Sequence, residues 1–179
     1  MVKPDDFDGK ISVITAVYNA AACIQNLINS LRQQTDSNFE WVVVDGLSTD
    51  NTLEILKQVD DLNIKIISEA DFGIYDALNK GIKACSGEFY LVAGADDIFF
   101  PNAINTYKTA IEDRIDMVTA NILMRNKVIK PNRGPSWRSG MFHWISQHSV
   151  GVMIKKDLHK VYGYYSHKYP IAADQLFIK

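Results

Sequence analysis

The chain has 179 residues, 47% apolar and 22% charged, an ordinary globular composition that excludes disordered and collagen-like classes and fits one domain. Its 19 Lys and Arg against 21 Asp and Glu leave a formal charge of -2, which excludes a general attraction to nucleic acid, so any anionic ligand must be held by a local arrangement. No apolar run reaches the roughly 18 residues that a membrane span needs, MVKPDDFDGK has no signal-peptide core, and Cys23 and Cys85 lack CxxC partners; a cytoplasmic chain with structural thiols is expected.

In chain order, ISVITAVY (11–18) reads as a strand buried on both faces, and the next stretch carries Ile24, Leu27, Ile28 and Leu31 at helical spacing. FEWVVVD (39–45) reads as a second strand, with Ser48 or Thr49 as cap of a helix carrying Leu53, Ile55, Leu56 and Val59. IKIIS (64–68) is a third strand, IYDALNKGIKAC a helix, and GEFYLVAG (87–94) a fourth strand. This alternation predicts a parallel sheet with right-handed crossovers and a ligand site beyond the carboxyl ends of the strands. A helix follows Pro101, then DMVTANILM and a hairpin turning at Arg125 and Asn126. PNRGPSWRSGMFHW reads as a binding flap, HSVGVMIK (148–155) as a strand, KDLHKVYG as a helix stopped by Gly163, and AADQLFIK as the opening of another helix.

Three strand or helix ends carry candidate chemistry. Asp45 closes the second strand before Gly46, Ser48, Thr49 and Asp50, where a carboxylate can accept a base N–H or a ribose hydroxyl; an Asp-Gly turn with a helix cap explains the same residues. Asp96 and Asp97 follow the fourth strand. Adjacent carboxylates there repel unless compensated, and a hard divalent cation on a diphosphate compensates them; capping of the helix near Pro101 is the other reading. Asp76, Asn79 and Lys80 share a helix face behind Gly73, which permits close backbone approach, and together can meet a sugar or phosphate, although an Asp–Lys surface pair needs no ligand. His148 and Asp174 have ordinary structural readings as a strand-start histidine and a helix N-terminal carboxylate. Trp137, Arg138, Arg133 and Trp144 can grip a diphosphate or stack on a sugar, or simply solvate a loop.

Taken in order, SVITAVYNA, VVVDGLSTDNT, EADFGIYDALNKGI, GADDIFFP, QHSVG and IAAD resemble the family 2 inverting glycosyltransferases of the GT-A fold, particularly bacterial polysaccharide and O-antigen enzymes, over residues 10 to about 178. The resemblance implies an α/β Rossmann-like, mainly parallel sheet flanked by helices, with a small hairpin and acceptor-side segment. It also implies a single catalytic domain over 1–179, cut short at its C-terminus. It places Thr15, Ala16, Tyr18, Asn19, Asp45 and Ser48 at the nucleotide, and Gly73, Asp76, Asn79, Lys80, Ala95 and Asp96 along the nucleotide-sugar. Mn2+ or Mg2+ would sit on Asp96 with Asp97; Gly94 replaces the first Asp of the family's DxD motif. Asp174 matches the catalytic base, with Ala173 where an acidic neighbour often sits, and Trp137, Arg138 and His148 fall on the acceptor or diphosphate side. The implied partners are a UDP-sugar or similar donor and a glycan or lipid-linked acceptor, with no nucleic acid, and with peripheral association at the inner face of the plasma membrane. Two alternatives remain. One is a catalytically inert nucleotide-sugar-binding fragment. The other is a sugar nucleotidylyltransferase, disfavoured because TAVYNAAAC has neither Gly nor Arg for a phosphate loop.

Overall fold

The computed structural model describes residues 9–130 and 149–166. In chain order these form β1 (Ile11–Val17), α1 (Ile24–Arg32), β2 (Phe39–Asp45), α2 (Thr52–Lys57), β3 (Ile64–Ser68), α3 (Ile74–Ala84), β4 (Phe89–Val92) and α4 (Ala103–Thr109). There follow β5 (Met117–Thr119), β6 (Ile122–Met124), β7 (Lys127–Ile129), a 3-10 turn (Ser149–Gly151), β8 (Val152–Lys155) and α5 (Leu158–Tyr162).

The main sheet has the order β3-β2-β1-β4-β8-β5. Its first four strands are parallel, with Ile11 of β1 set between Phe39 and Phe89. The sheet is mainly parallel, as expected, and β8 is its antiparallel strand. β5 runs in the direction of β4 but one place away, and β8 fills the slot between them antiparallel to both. The expected strand over 148–155 is correspondingly shorter, because Ser149–Gly151 wind into the 3-10 turn before β8 begins.

Two apolar layers follow from the twofold alternation of strand side chains. Ile11, Val13 and Val17 of β1, with Trp41 and Val43 of β2, pack against Ile24, Leu27, Ile28 and Leu31 of α1, Leu56 of α2 and Ile104 of α4. Ile14 and Val42 point the other way, against Tyr75, Leu78 and Ile82 of α3. Gly81 lets α3 lie directly on Ile14, where any Cβ would collide with that side chain. The result is a helix–sheet–helix sandwich whose strand order reverses between β1 and β4, the place where open α/β sheets leave a crevice.

Two local expectations meet different outcomes. The β6–β7 hairpin turns at Arg125 and Asn126 as expected, with φ of 48° and 61°, the left-handed pair of a two-residue type I′ turn. The α2 start is not capped by Ser48 or Thr49. The N-cap position is Asn51, whose side chain makes no cap bond; one residue earlier the Asp50 Oδ1 accepts from the Thr52 amide at 3.0 Å, and the Thr52 hydroxyl chiefly holds the Asp50 pKa below the usual range.

Candidate functional site

The carboxyl ends of β1, β2, β3 and β4 and the start of α3 meet at the switch point. The β1–α1 and β2–α2 loops are stitched into one wall by Asn19, whose left-handed backbone (φ 53°) aims its side chain across the gap. Its Oδ1 accepts from the Thr49 amide at 2.8 Å, and its own amide donates to the Ser48 hydroxyl at 2.9 Å. The Ala20 and Ala21 amides donate to Thr52 Oγ1 and Asp50 Oδ2 at 2.7 and 3.1 Å.

The floor is built around Gly46, whose amide donates to the Val17 carbonyl at 2.9 Å. A Cβ there would lie 2.5 Å from Asp71 Oδ2 and 3.7 Å from the Tyr18 ring. Glycine therefore lets the Asp71 carboxylate lie over the β2 end. Asp71 is held in that position because its Oδ1 accepts from the Gly73 amide at 2.8 Å. The motifs of the sequence do not single out Asp71; its signal is an acid two residues ahead of a glycine at a helix start, facing a second strand-end glycine. Gly73 itself has φ 110°, a backbone conformation that favours glycine, and no protein atom lies within 4 Å of a Cβ placed there.

Asp76 and Lys80 come together as the spacing predicts. The Asp76 Oδ2 accepts from the Phe72 amide at 3.2 Å and lies 3.3 Å from the Lys80 ammonium, which also meets Glu69 at 3.1 Å and donates to the Ala70 carbonyl at 2.6 Å. Lys80 thus ties the β3–α3 loop to the helix. On the β4 side, Asp97 closes its own turn, accepting from the Gly94 amide at 2.7 Å, while Asp96 is exposed beside half-buried Ala95. Asp96 is the accessible carboxylate of that turn.

Three other expected contacts lie in the interior. Thr15 is fully buried and its hydroxyl accepts from Trp41 Nε1 at 3.0 Å. Asp45 is fully buried too, accepting from the Ser68 hydroxyl at 2.7 Å and the Ser48 amide at 3.2 Å, and so shapes the 46–48 turn. Asn79 is turned inward because it shares the stripe of Tyr75, Leu78 and Ile82 that α3 lays on the sheet. Its side chain donates to the Tyr165 carbonyl at 2.9 Å and accepts from the Tyr165 amide at 3.0 Å. Around that clamp, His159 Nδ1 donates to the Gly163 carbonyl at 2.9 Å, leaving Nε2 to accept from Tyr90 at 2.7 Å, while Tyr165 contacts Tyr90 at 2.9 Å. Burial lowers the pKa of His159 and raises that of Tyr90, so the cluster is neutral.

The side chains and backbone left exposed or half-buried around the switch point therefore include Tyr18, Asn19, Ser48, Asp71, Gly73, Asp76, Lys80, Ala95 and Asp96. Among the described residues no group of three His, Cys, Asp or Glu side chains is placed to hold a metal. A cation here would rest on Asp96 and on oxygens of its own ligand, a donor set that fits Mg2+ or Mn2+ bound through one or two carboxylates and phosphates. Asp174, Trp137, Arg138 and His148 lie outside the described residues.

A sequence profile described as Glycosyl transferase family 2 matches residues 12–167. A PGL/p-HBAD biosynthesis glycosyltransferase of Mycobacterium bovis is 33% identical over 121 residues, 64% of this chain and 47% of that protein. The chain spans about half the length of that relative. S. aureus TarS 1–349, solved with UDP-GlcNAc, superposes with a TM-score of 0.76 at 27% identity, over 94% of this chain and 52% of that one. The mannosyltransferase PcManGT from Pyrobaculum calidifontis, solved with GDP-Man and Mn2+, shares the fold with a TM-score of 0.66 at 20% identity, over 88% of this chain and 47% of that one.

Proposed function

The chain belongs to glycosyl transferase family 2 and has the GT-A fold, and on that premise we propose that it moves a sugar, with inversion, from a nucleoside-diphosphate sugar to an acceptor hydroxyl. Family membership sets aside the nucleotidylyltransferase alternative. We assign the donor to the UDP-sugars, supported by the likeness to a TarS structure that holds UDP-GlcNAc. The acceptor is a glycan or lipid-linked glycan of cell-surface polysaccharide synthesis, met at a membrane's cytoplasmic face.

The observation that carries this reading is the polar rim at the β1/β4 switch point, where Asp71 lies over Gly46 on one side and Asp96 stands exposed on the other. In the proposal Tyr18, Ser48 and Asp71 receive base and ribose, while buried Asp45 and Thr15 fix the strand ends beneath them. Asp76 and Lys80 border the sugar and diphosphate. Asp96, with Asp97 completing its turn, would hold Mn2+ or Mg2+, which would supply positive charge to the leaving diphosphate. Asp174 takes the proton of the acceptor hydroxyl as that oxygen attacks the anomeric carbon. The bond from that carbon to the diphosphate breaks on the opposite face, so its configuration inverts. Trp137, Arg138 and His148 belong to the acceptor side.

A thermal-shift screen of UDP-, GDP- and dTDP-sugars, each with and without Mn2+, tests donor recognition, because a ligand of the folded state raises its stability. The expected result is a Mn2+-enhanced shift with UDP-sugars and release of UDP on adding acceptor. No shift with any donor would overturn the proposal, and binding without transfer or hydrolysis would favour the inert-fragment alternative.

A further inference from the structure

The β6–β7 hairpin forms a sheet of its own, with both edges unpaired by the main sheet. Leu123 and Val128 are a cross-strand pair on one face, 52% and 59% exposed, and Met124 beside the turn is 38% exposed. Arg125, Lys127 and Lys130 are also exposed, and none is within ion-pair distance of a carboxylate among the described residues. The sequence has no Asp or Glu between Asp116 and Asp157, in a chain whose overall charge is -2. Positive charge is thus gathered where apolar side chains are bare. Because β5 runs with β4, and the Ala120 amide still pairs with Gly151, the hairpin leaves the sheet at the edge that carries Asp96.

We propose that this hairpin docks on an anionic lipid bilayer, with Leu123 and Val128 entering the headgroup–acyl boundary and Arg125, Lys127 and Lys130 lying at lipid phosphates. Apolar tips flanked by cations whose long stems reach back to the headgroups are the composition of an interfacial anchor. Nucleic acid is a poorer fit, since the hairpin has no aromatic ring on which a base can stack. Docked this way, the carboxyl edge of the sheet faces the bilayer, so an acceptor carried on a lipid comes within reach of the donor site. The docking reading deepens the membrane-side placement proposed above but does not depend on donor chemistry.

Flotation of the 179-residue chain with phosphatidylcholine vesicles, with and without phosphatidylglycerol, tests it. Binding is expected only with phosphatidylglycerol and should weaken with salt. Reversing two cations, Arg125→Glu with Lys127→Glu, is expected to lower vesicle affinity by about thirtyfold or more. Leu123→Ser with Val128→Ser should also lower it, with circular dichroism and UDP affinity like the parent chain. Absence of binding to phosphatidylglycerol vesicles, equal binding to both vesicle types, or unchanged binding by either folded double variant would overturn the proposal. If UDP fails to bind while vesicle binding follows this pattern, the donor assignment is lost and the docking surface stands.

Discussion

Asn79→Ala separates a structural role for this residue from a ligand contact. Its side chain pairs with both backbone polar groups of Tyr165 across 86 residues of sequence, at 2.9 and 3.0 Å, where Tyr165 is only 4% exposed. Alanine leaves a buried N–H and a buried C=O without those partners, at about 1–3 kcal/mol each, or about 2–6 kcal/mol together. Better helix propensity returns at most about 0.7 kcal/mol. Since about 1 kcal/mol moves the melting midpoint of a chain this size by about 2–4 °C, a fall of at least about 3 °C is expected by thermal circular dichroism. Nucleotide affinity of the folded protein should stay near that of the parent. A midpoint unchanged within error, with nucleotide binding lost, would refute the reasoning and return Asn79 to the ligand face.

His159 makes stability depend on pH. Its folded pKa lies below the ordinary 6.5, so between those values the unfolded chain binds more protons and stability falls as pH drops below about 6.5. Urea unfolding across that range should show the slope, and His159→Gln should flatten it; an equal slope in the variant would assign it elsewhere. Gly46→Ala sets a methyl against the Asp71 carboxylate, and UDP affinity measured by calorimetry should fall about tenfold, as expected for about 1.4 kcal/mol of displacement; an unchanged affinity would remove Asp71 from the site. Gly81→Val should cost about 1–3 kcal/mol by forcing α3 off Ile14, read as a lower urea midpoint. Asp174→Asn should abolish transfer and spare donor binding, and turnover at the parent rate would exclude it as the base.

The strands were legible because their signal is local. β2 and β3 occupy the expected 39–45 and 64–68, each an apolar run ended by polar residues. Alternation placed the expected ligand site beyond the carboxyl ends of the strands, whereas the reversal between β1 and β4 shows only in the observed strand order. Pairing over long distances was not legible. Nothing in VMIK distinguishes a parallel strand from β8, whose direction is set by the slot between β4 and β5. Helical spacing put Asp76, Asn79 and Lys80 together, but Asn79 also completes the Tyr75, Leu78 and Ile82 stripe, and packing decided between the two faces. Asp45 and Thr15 occupy the expected strand ends, yet partners from distant segments, Ser68 and Trp41, enclose them. Asp71 was overlooked because its place over Gly46 exists only once β2 and the β3–α3 loop are side by side.

The most direct test of the account is calorimetric titration of UDP-GlcNAc, with and without Mn2+, into the parent chain and Asp96→Ala. The parent should bind, more tightly with Mn2+, and Asp96→Ala should lose the Mn2+ enhancement while melting like the parent. Equal Mn2+-dependent binding by both proteins would contradict the account.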